Sequence, residues 1–569
     1  MSHTQASVGN NPWWRPSAMM LYATILLAVS IPLSEFGMSI SQFLLLGFWT
    51  VEGADFSKNH QSSGISIFGR LKTILAGLGN NLAGKFRMLF NNRAAMVVVS
   101  LYVLHIIGTL YSADLQYALK DLRIKLPLLS LPVILATSSL LSKRKFNIVL
   151  IFFVLAVFAG TVASMIVLFT RHISDPRELS IFISHIRFGL TICFAIFILF
   201  YFLFSQQPIH KGLRVLMGAG ILWFLSFLLI LESVTGIIIT LLLGFIFMIN
   251  FALKIKKLPI KLTILSLGFV IAFVSILLLK SFITNFNQPK PVDIEKLDKY
   301  THFGTPYQHD TCSYDIENGE YVGLFLCNTE MRNEWNKRSE MRYDGLDKKG
   351  QELKHTLIRF LHSKGLRKDA IGVRQLSNDE IRNIENGVAN ADYLKSFNLK
   401  SRFEQMAMGY HNYITYGDPN ASSLMQRVEY WKTSAYIIKQ HWLAGVGTGD
   451  IKQSFQQAYV ETHTKLQDEF RNRSHNQFLA IFISFGVFGL LWFLFTLVYP
   501  ALKLGRFHDY FYIVFFVIIV MSMITEDTLE TQACATYFAF FNALLLFGRK
   551  RDTSAAEHLE THSSTTKDL

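Results

Sequence analysis

The sequence predicts an all-α polytopic membrane protein with about twelve transmembrane helices and one large, mostly helical insertion between the ninth and tenth. Three observations carry this. Of 569 residues, 51% are hydrophobic and 17% charged, against about 25% charged in ordinary soluble domains. Apolar runs recur along the chain at lengths near the ~20 residues that a spanning helix needs. The short connections between these runs alternate in charge, which sets an orientation.

The first run, 18–33, follows Trp13, Trp14 and Arg15 and leads straight into a second, 38–50, that ends at Glu52. With a second apolar run close behind, the first run reads as a span and not as a cleavable signal. From Ser57 to Arg93 the chain is basic, with Lys58, Arg70, Lys72, Lys85, Arg87 and Arg93 and no acid. Leu71, Leu75, Leu78, Leu82, Phe86 and Leu89 recur there at three- and four-residue steps. That spacing predicts an amphipathic helix on an anionic membrane face. The alternative is a solvated linker, since Gly77, Gly79 and Gly84 weaken a helix.

Further spans are predicted at 95–111, 126–141, 148–169, 186–204, 215–231, 236–253 and 262–283, then at 477–499, 510–524 and 533–547. Lys143-Arg144-Lys145, Lys254 to Lys261, Lys503 with Arg506, and Arg549-Lys550-Arg551 fall on one side. Asp114, Asp121, Glu232, Glu526, Asp527 and Glu530 fall on the other. By the positive-inside rule both termini are cytoplasmic and the long insertion is outside. The net charge of +14 is then a consequence of topology, and nucleic acid is not an expected partner. The predicted division is a membrane bundle at 1–283, with its amphipathic segment at about 57–93, and an insertion domain at 284–475. A second bundle follows at 476–548, and a disordered cytoplasmic tail at 549–569.

The insertion is too long for a plain loop and is expected to fold. Its first part mixes turn residues with short β-like runs such as 321–326 and holds Cys312 and Cys327. In an oxidising compartment these two either close a hairpin or remain thiols. Cys193 and Cys534 lie in apolar spans and read as packing residues. No CxxC or His/Cys ligand spacing appears, so neither a metal nor a cofactor is expected. Further on, Ser377 and Glu380 form a capping-box pattern, and a helix over 424–441 carries Arg427, Trp431 and Tyr436. It ends at Leu443-Ala444-Gly445-Val446-Gly447-Thr448-Gly449-Asp450. No Lys-Ser/Thr follows, so this is not a P-loop. A tight turn between helices is favoured over a phosphate cradle.

The stretch from Phe470 to Gly489, FRNRSHNQFLAIFISFGVFG, sets two arginines and a histidine against the start of a long apolar run. Ionisable groups held at a lipid boundary are costly and are functional candidates by default.

Three segments, QRVEYWKTSAYIIKQHWLAGVGTGD, RSHNQFLAIFISFGVFGLL and TEDTLETQACATYFAFF, together resemble the O-antigen ligase and O-antigen polymerase family over about 425–547. Ser184–Phe188 (SHIRF) and the stretch 364–373 look like the branch common in Bacteroidetes. The resemblance implies a metal-independent glycosyltransferase of the membrane C-type fold in the bacterial inner membrane. It would act on the periplasmic side on undecaprenyl-pyrophosphate-linked glycans. Ligases of the family pass the glycan to lipid A-core, polymerases extend one repeat with another, and some relatives glycosylate protein hydroxyls.

Pyrophosphate is a good leaving group, so the chemistry needs positive charge on its oxygens and a base for the incoming hydroxyl. Arginine suits the first task because its planar fork binds phosphate bidentately and keeps its charge. Histidine suits the second. His475 matches the family's His-Asn motif and is the expected base or acceptor-orienting group; the alternative is a helix cap. Arg187, Arg427, Arg471 and Arg473 are the expected pyrophosphate contacts. Arg471 would share the face of His475, four residues on, if the helix has begun by then, and Arg473 would point elsewhere. Arg187 otherwise reaches lipid headgroups, and Arg427 otherwise pairs with Glu429 or Glu404. Asn476, Glu526 and Glu530 are expected to support the site on the acceptor side. One departure stands out: many relatives carry Ser-Arg where this chain reads Glu232-Ser233-Val234-Thr235-Gly236. The resulting expectation is an O-antigen ligase taking a lipid-linked oligosaccharide donor and lipid A-core, with membrane lipids around it. A repeat-unit polymerase is the alternative. A transporter or flippase fits less well, because no internal repeat and no matched pair of broken helices is legible.

Overall fold

The computed structural model describes residues 16–53, 67–171, 173, 176–205, 210–287, 291–312, 316–317, 319–394, 399–420 and 422–549. Trp13, Trp14, Arg15, Lys58 and the tail beyond Arg549 lie outside the described residues. Two units emerge: Met1–Leu243, Tyr430–Thr464 and Arg471–Leu569 form one, Gly244–Glu429 and Lys465–Phe470 the other.

The first unit opens with α1 (Pro16–Leu33) and α2 (Glu35–Val51), a hairpin turned at Ser34, whose side chain accepts from the Gly37 amide and so caps α2. The predicted amphipathic segment is helical as α3 (Ile67–Asn91). It is tied down where Asn81 donates to the carbonyls of Thr50 and Glu52 and where Lys85 pairs with Glu52 at 3.2 Å. After α4 (Arg93–Leu110), the expected span at 126–141 is instead the second of two 11-residue helices, α5 (Leu115–Lys125) and α6 (Pro127–Thr137). Pro127 divides them, having no N–H to extend α5 and a φ suited to the first turn of α6. The long helices α7 (Lys143–Thr170), α8 (His185–Leu203), α9 (Lys211–Ile230) and α10 (Val234–Lys254) follow.

The second unit takes up α11 (Leu258–Asn287) and a folded segment with α12 (Asn328–Arg338), α13 (Leu353–Ser363), α14 (Ala370–Arg374), α15 (Asn378–Glu385) and α16 (Leu399–Tyr416). Its core gathers Trp335, Tyr343, Leu357, Phe360 and Ile384. The expected capping box at Ser377 and Glu380 is formed in both directions. The β-like run pairs at its two ends: Tyr321 belongs to β2 (Glu320–Tyr321), antiparallel to β1 (Ile316–Glu317), and Leu326 makes single bridges to Gln308 and Lys368. Of the two alternatives for Cys312 and Cys327, the structure has separate thiols. Cys312 is exposed, whereas Cys327 is buried at the start of α12 with its Sγ 3.6 Å from Thr329 Oγ1.

The chain then runs through α17 (Ser423–His441), α18 (Ile451–Glu461), α19 (Gln477–Lys503), α20 (Tyr510–Thr525) and α21 (Gln532–Phe547). All of Ala533–Phe547 is buried, as expected of a helix that is apolar all round. Phe541 packs edge-on to Phe153 and Phe194, with ring centroids 4.9 and 5.0 Å away. Among the described residues seven helices are long and apolar enough to cross a membrane, and α20 and α21 are shorter apolar helices beside them. The chain is an all-α membrane protein.

One of those seven, α19, is broken at Gly486, where φ is 65° and ψ −166°. The glycine-rich turn fills the break: the Val446 and Gly447 amides donate to the carbonyls of Ile483 and Ser484 at 2.8 and 2.9 Å, and Val487 N donates to Trp442 O at 2.9 Å. The backbone groups freed by the break are thereby satisfied inside an apolar bundle, where an orphaned one is costly. Glycine is required here, because a Cβ on Gly445 would sit 2.4 Å from Phe485 N. The Gly-x-Gly stretch is thus a backbone plug and not a phosphate cradle.

Candidate functional site

Residues 471–476 reach α19 without helical structure. Arg471 therefore does not share a helix face with His475, which corrects that expectation. The Asp527 carboxylate anchors this loop. Asp527 Oδ1 accepts from Ser474 Oγ at 2.9 Å and from the Asn476 amide at 2.8 Å. Asn476, and not His475, caps α19, accepting from Leu479 N at 3.1 Å while its own amide donates to Ile524 O at 3.0 Å. Gln477 Oε1 accepts from Leu529 N at 2.7 Å. These bonds stitch the entry to α19 onto the α20–α21 turn.

His475 sits at the centre of this seam with φ of 44°, a left-handed conformation that non-glycine residues rarely adopt. Its Nδ1 lies 3.1 Å from Glu526 Oε2. A carboxylate can only accept, so it selects the imidazole tautomer that donates from Nδ1 and turns Nε2 out as the acceptor. The Tyr430 ring stacks on the imidazole, with centroids 5.4 Å apart and planes inclined by 26°.

Glu530 joins the seam to a buried ion cluster. It lies 3.0 Å from Arg473 and 2.9 Å from Lys125, which also reaches Asp121 at 2.7 Å. Arg473 Nη1 donates further to Tyr117 Oη at 3.1 Å. Burial alone would raise the Glu530 carboxyl, but Lys125 and Arg473 outweigh it and hold the group below the usual carboxylate range. Burial likewise works against the Arg473 charge, and Glu530, Tyr117 and Asp527 more than restore it. Asp527 is pushed up by burial, with Arg473 opposing.

A cavity of about 510 Å³ opens on this seam, and its walls include Arg187, Arg471, Arg473, His475, Glu526 and Glu530. Arg187, from the first turn of α8, is 3.3 Å from Glu35 Oε1. One face of α18 completes the wall with Lys452, Phe455, Gln456 and Tyr459, at the spacing i, i+3, i+4, i+7 that puts four side chains on one stripe. Tyr459 fixes the helix by donating to Asn472 O at 2.6 Å.

The predicted residues Arg187, Arg471, Arg473, His475, Glu526 and Glu530 thus come together, and Asn476 supports them as a cap. Arg427 lies in the second unit, on the N-terminal part of α17. At the departure from the family pattern, Ser233 Oγ accepts from Gly236 N at 3.3 Å, so that turn serves the start of α10. Sequence reasoning missed Tyr430, Lys452 and the Lys125–Asp121 pair. The α18 stripe was legible from its spacing; Tyr430 was overlooked beside Trp431, which proves 39% exposed. Among the described residues, no group of three or more His, Cys, Asp or Glu side chains is arranged to hold a metal ion.

The fold and cavity define a helical membrane protein with a cationic, histidine-bearing site at its helix ends. Residues 375–494 match the model of the O-antigen ligase family. The match takes in α17, α18 and the Arg471–Gln477 seam, while Arg187 and the Glu526–Glu530 turn lie outside it. The family spans ligases and polymerases of glycosyltransferase type acting on lipid-linked glycans. No curated protein matches the chain.

Proposed function

We propose that the chain is a metal-independent membrane glycosyltransferase that moves a glycan from undecaprenyl pyrophosphate to a hydroxyl acceptor, acting as an O-antigen ligase on lipid A-core. The carrying observation is the His475–Glu526 pair facing the same cavity as Arg187, Arg471 and Arg473. The acceptor oxygen attacks the anomeric carbon as the bond to the pyrophosphate oxygen breaks. His475 Nε2 takes the acceptor proton, Glu526 steadies the resulting imidazolium, and the electron pair leaves on the lipid pyrophosphate. The guanidinium groups stabilise that developing charge.

The proposed topology has about twelve spans, both termini in the cytoplasm of the inner membrane, and the 284–475 insertion in the periplasm. The gathering of Arg187, His475 and Glu526 on ends assigned outward by the charge alternation supports it. The test supplies purified protein with lipid-linked glycan and either lipid A-core or a second lipid-linked repeat. A glycan on lipid A-core supports the ligase. An extended lipid-linked chain assigns the polymerase, the other reaction the same cavity serves. No transfer to either acceptor overturns the reading.

A further inference from the structure

The charges around the cavity are unequally committed. Arg473 is matched by Glu530, which Lys125 holds in place while also pairing with Asp121, and Arg187 faces Glu35. Lys452 lines the same cavity from α18, is exposed, and has no hydrogen bond or ion pair among the described residues. A pyrophosphate diester arriving with two negative charges needs cations that are not already neutralised, and Lys452 is such a cation. One turn further on, Gln456 is also exposed and lines the cavity. Positions four apart on a helix bring their side chains within roughly 5–6 Å at Cβ, the scale that separates a phosphate from the hydroxyls of the sugar it carries. A primary amide both donates and accepts, as a sugar hydroxyl does. The other two residues of the stripe, Phe455 and Tyr459, are 3% and 1% exposed, so the helix is anchored while its two polar side chains remain available.

We propose that α18 is the donor-reading wall of the cavity, with the Lys452 ammonium on a non-bridging phosphate oxygen and the Gln456 amide on hydroxyls of the first sugar. This rests on the glycosyltransferase reading above and assigns it a recognition surface on one helix. The test uses the full-length protein in nanodiscs and three probes: a polyprenyl monophosphate, the matching pyrophosphate, and the pyrophosphate carrying one hexosamine. Lys452→Met is expected to weaken both pyrophosphate probes about tenfold, the scale of one charge-assisted hydrogen bond, and Lys452→Arg to restore most of it. Gln456→Leu is expected to weaken only the sugar-bearing probe. Both side chains are exposed, so unchanged melting of each variant serves as the folding control. If wild type prefers pyrophosphate over monophosphate but both variants match it, the α18 assignment fails and the function stands. If wild type shows no such preference, the proposed function falls, and this assignment with it.

Discussion

Lys125 Nζ donates to the Glu530 carboxylate at 2.9 Å across 405 residues of sequence, and their side chains are 1% and 4% exposed. A buried pair of this kind is costly to break from one side, roughly 3–5 kcal/mol, because the remaining charge is stranded. Lys125→Met should therefore lower the melting temperature sharply, whereas a change at an exposed lysine such as Lys354 should not. The pH dependence follows from the same pair. The folded Glu530 carboxyl lies below its ordinary value of 4.5, so the folded state binds fewer protons than the unfolded one. Its stabilisation is present above that value and drains away as pH falls below it. Melting curves from pH 6 downward should show this acid loss, and Glu530→Gln should flatten it.

His475 separates chemistry from conformation. At φ of 44° asparagine is tolerated better than alanine, because its side chain bonds locally in the left-handed region. His475→Asn should keep the melting temperature within a degree or two while transfer drops by about 10²–10⁴, the range for a lost general base. Transfer at the wild-type rate would remove His475 from the mechanism. Glu526→Gln should reduce turnover while leaving donor affinity unchanged, since it orients the imidazole and does not contact the phosphates.

Gly486 should resist every substitution. Its left-handed φ would strain alanine by roughly 1–3 kcal/mol, and the new Cβ would lie 2.1 Å from Leu443 O. Gly486→Ala is expected to destabilise the protein and to expose the Val446 and Gly447 amides to hydrogen exchange. Gly218, where a Cβ meets nothing within 4 Å, is the control: Gly218→Ala should be neutral.

The thiols report both pairing and sidedness. Cys312 is exposed and unbridged, and Cys327 is buried. A membrane-impermeant maleimide added to spheroplasts should label Cys312 without prior reduction. Labelling only after lysis would place the insertion on the cytoplasmic side and overturn the orientation.

Much of the architecture follows from local pattern. Apolar run length predicts the long spans, the three- and four-residue steps predict α3, and Ser377 with Glu380 predicts its own cap, because each property is decided within one or two helical turns. The Arg471–His475 seam is equally visible, as charge abutting an apolar run stands out in any window. What tertiary structure alone decided is who meets whom. The period of α17 does not choose Tyr430 over Trp431 as the partner of His475, nothing near Lys125 in sequence announces Glu530, and Gly486 gives no sign that Gly445 and Gly447 will enter its break. Those pairings depend on desolvation and on unsatisfied backbone groups, and both are properties of packed helices brought together from distant parts of the chain.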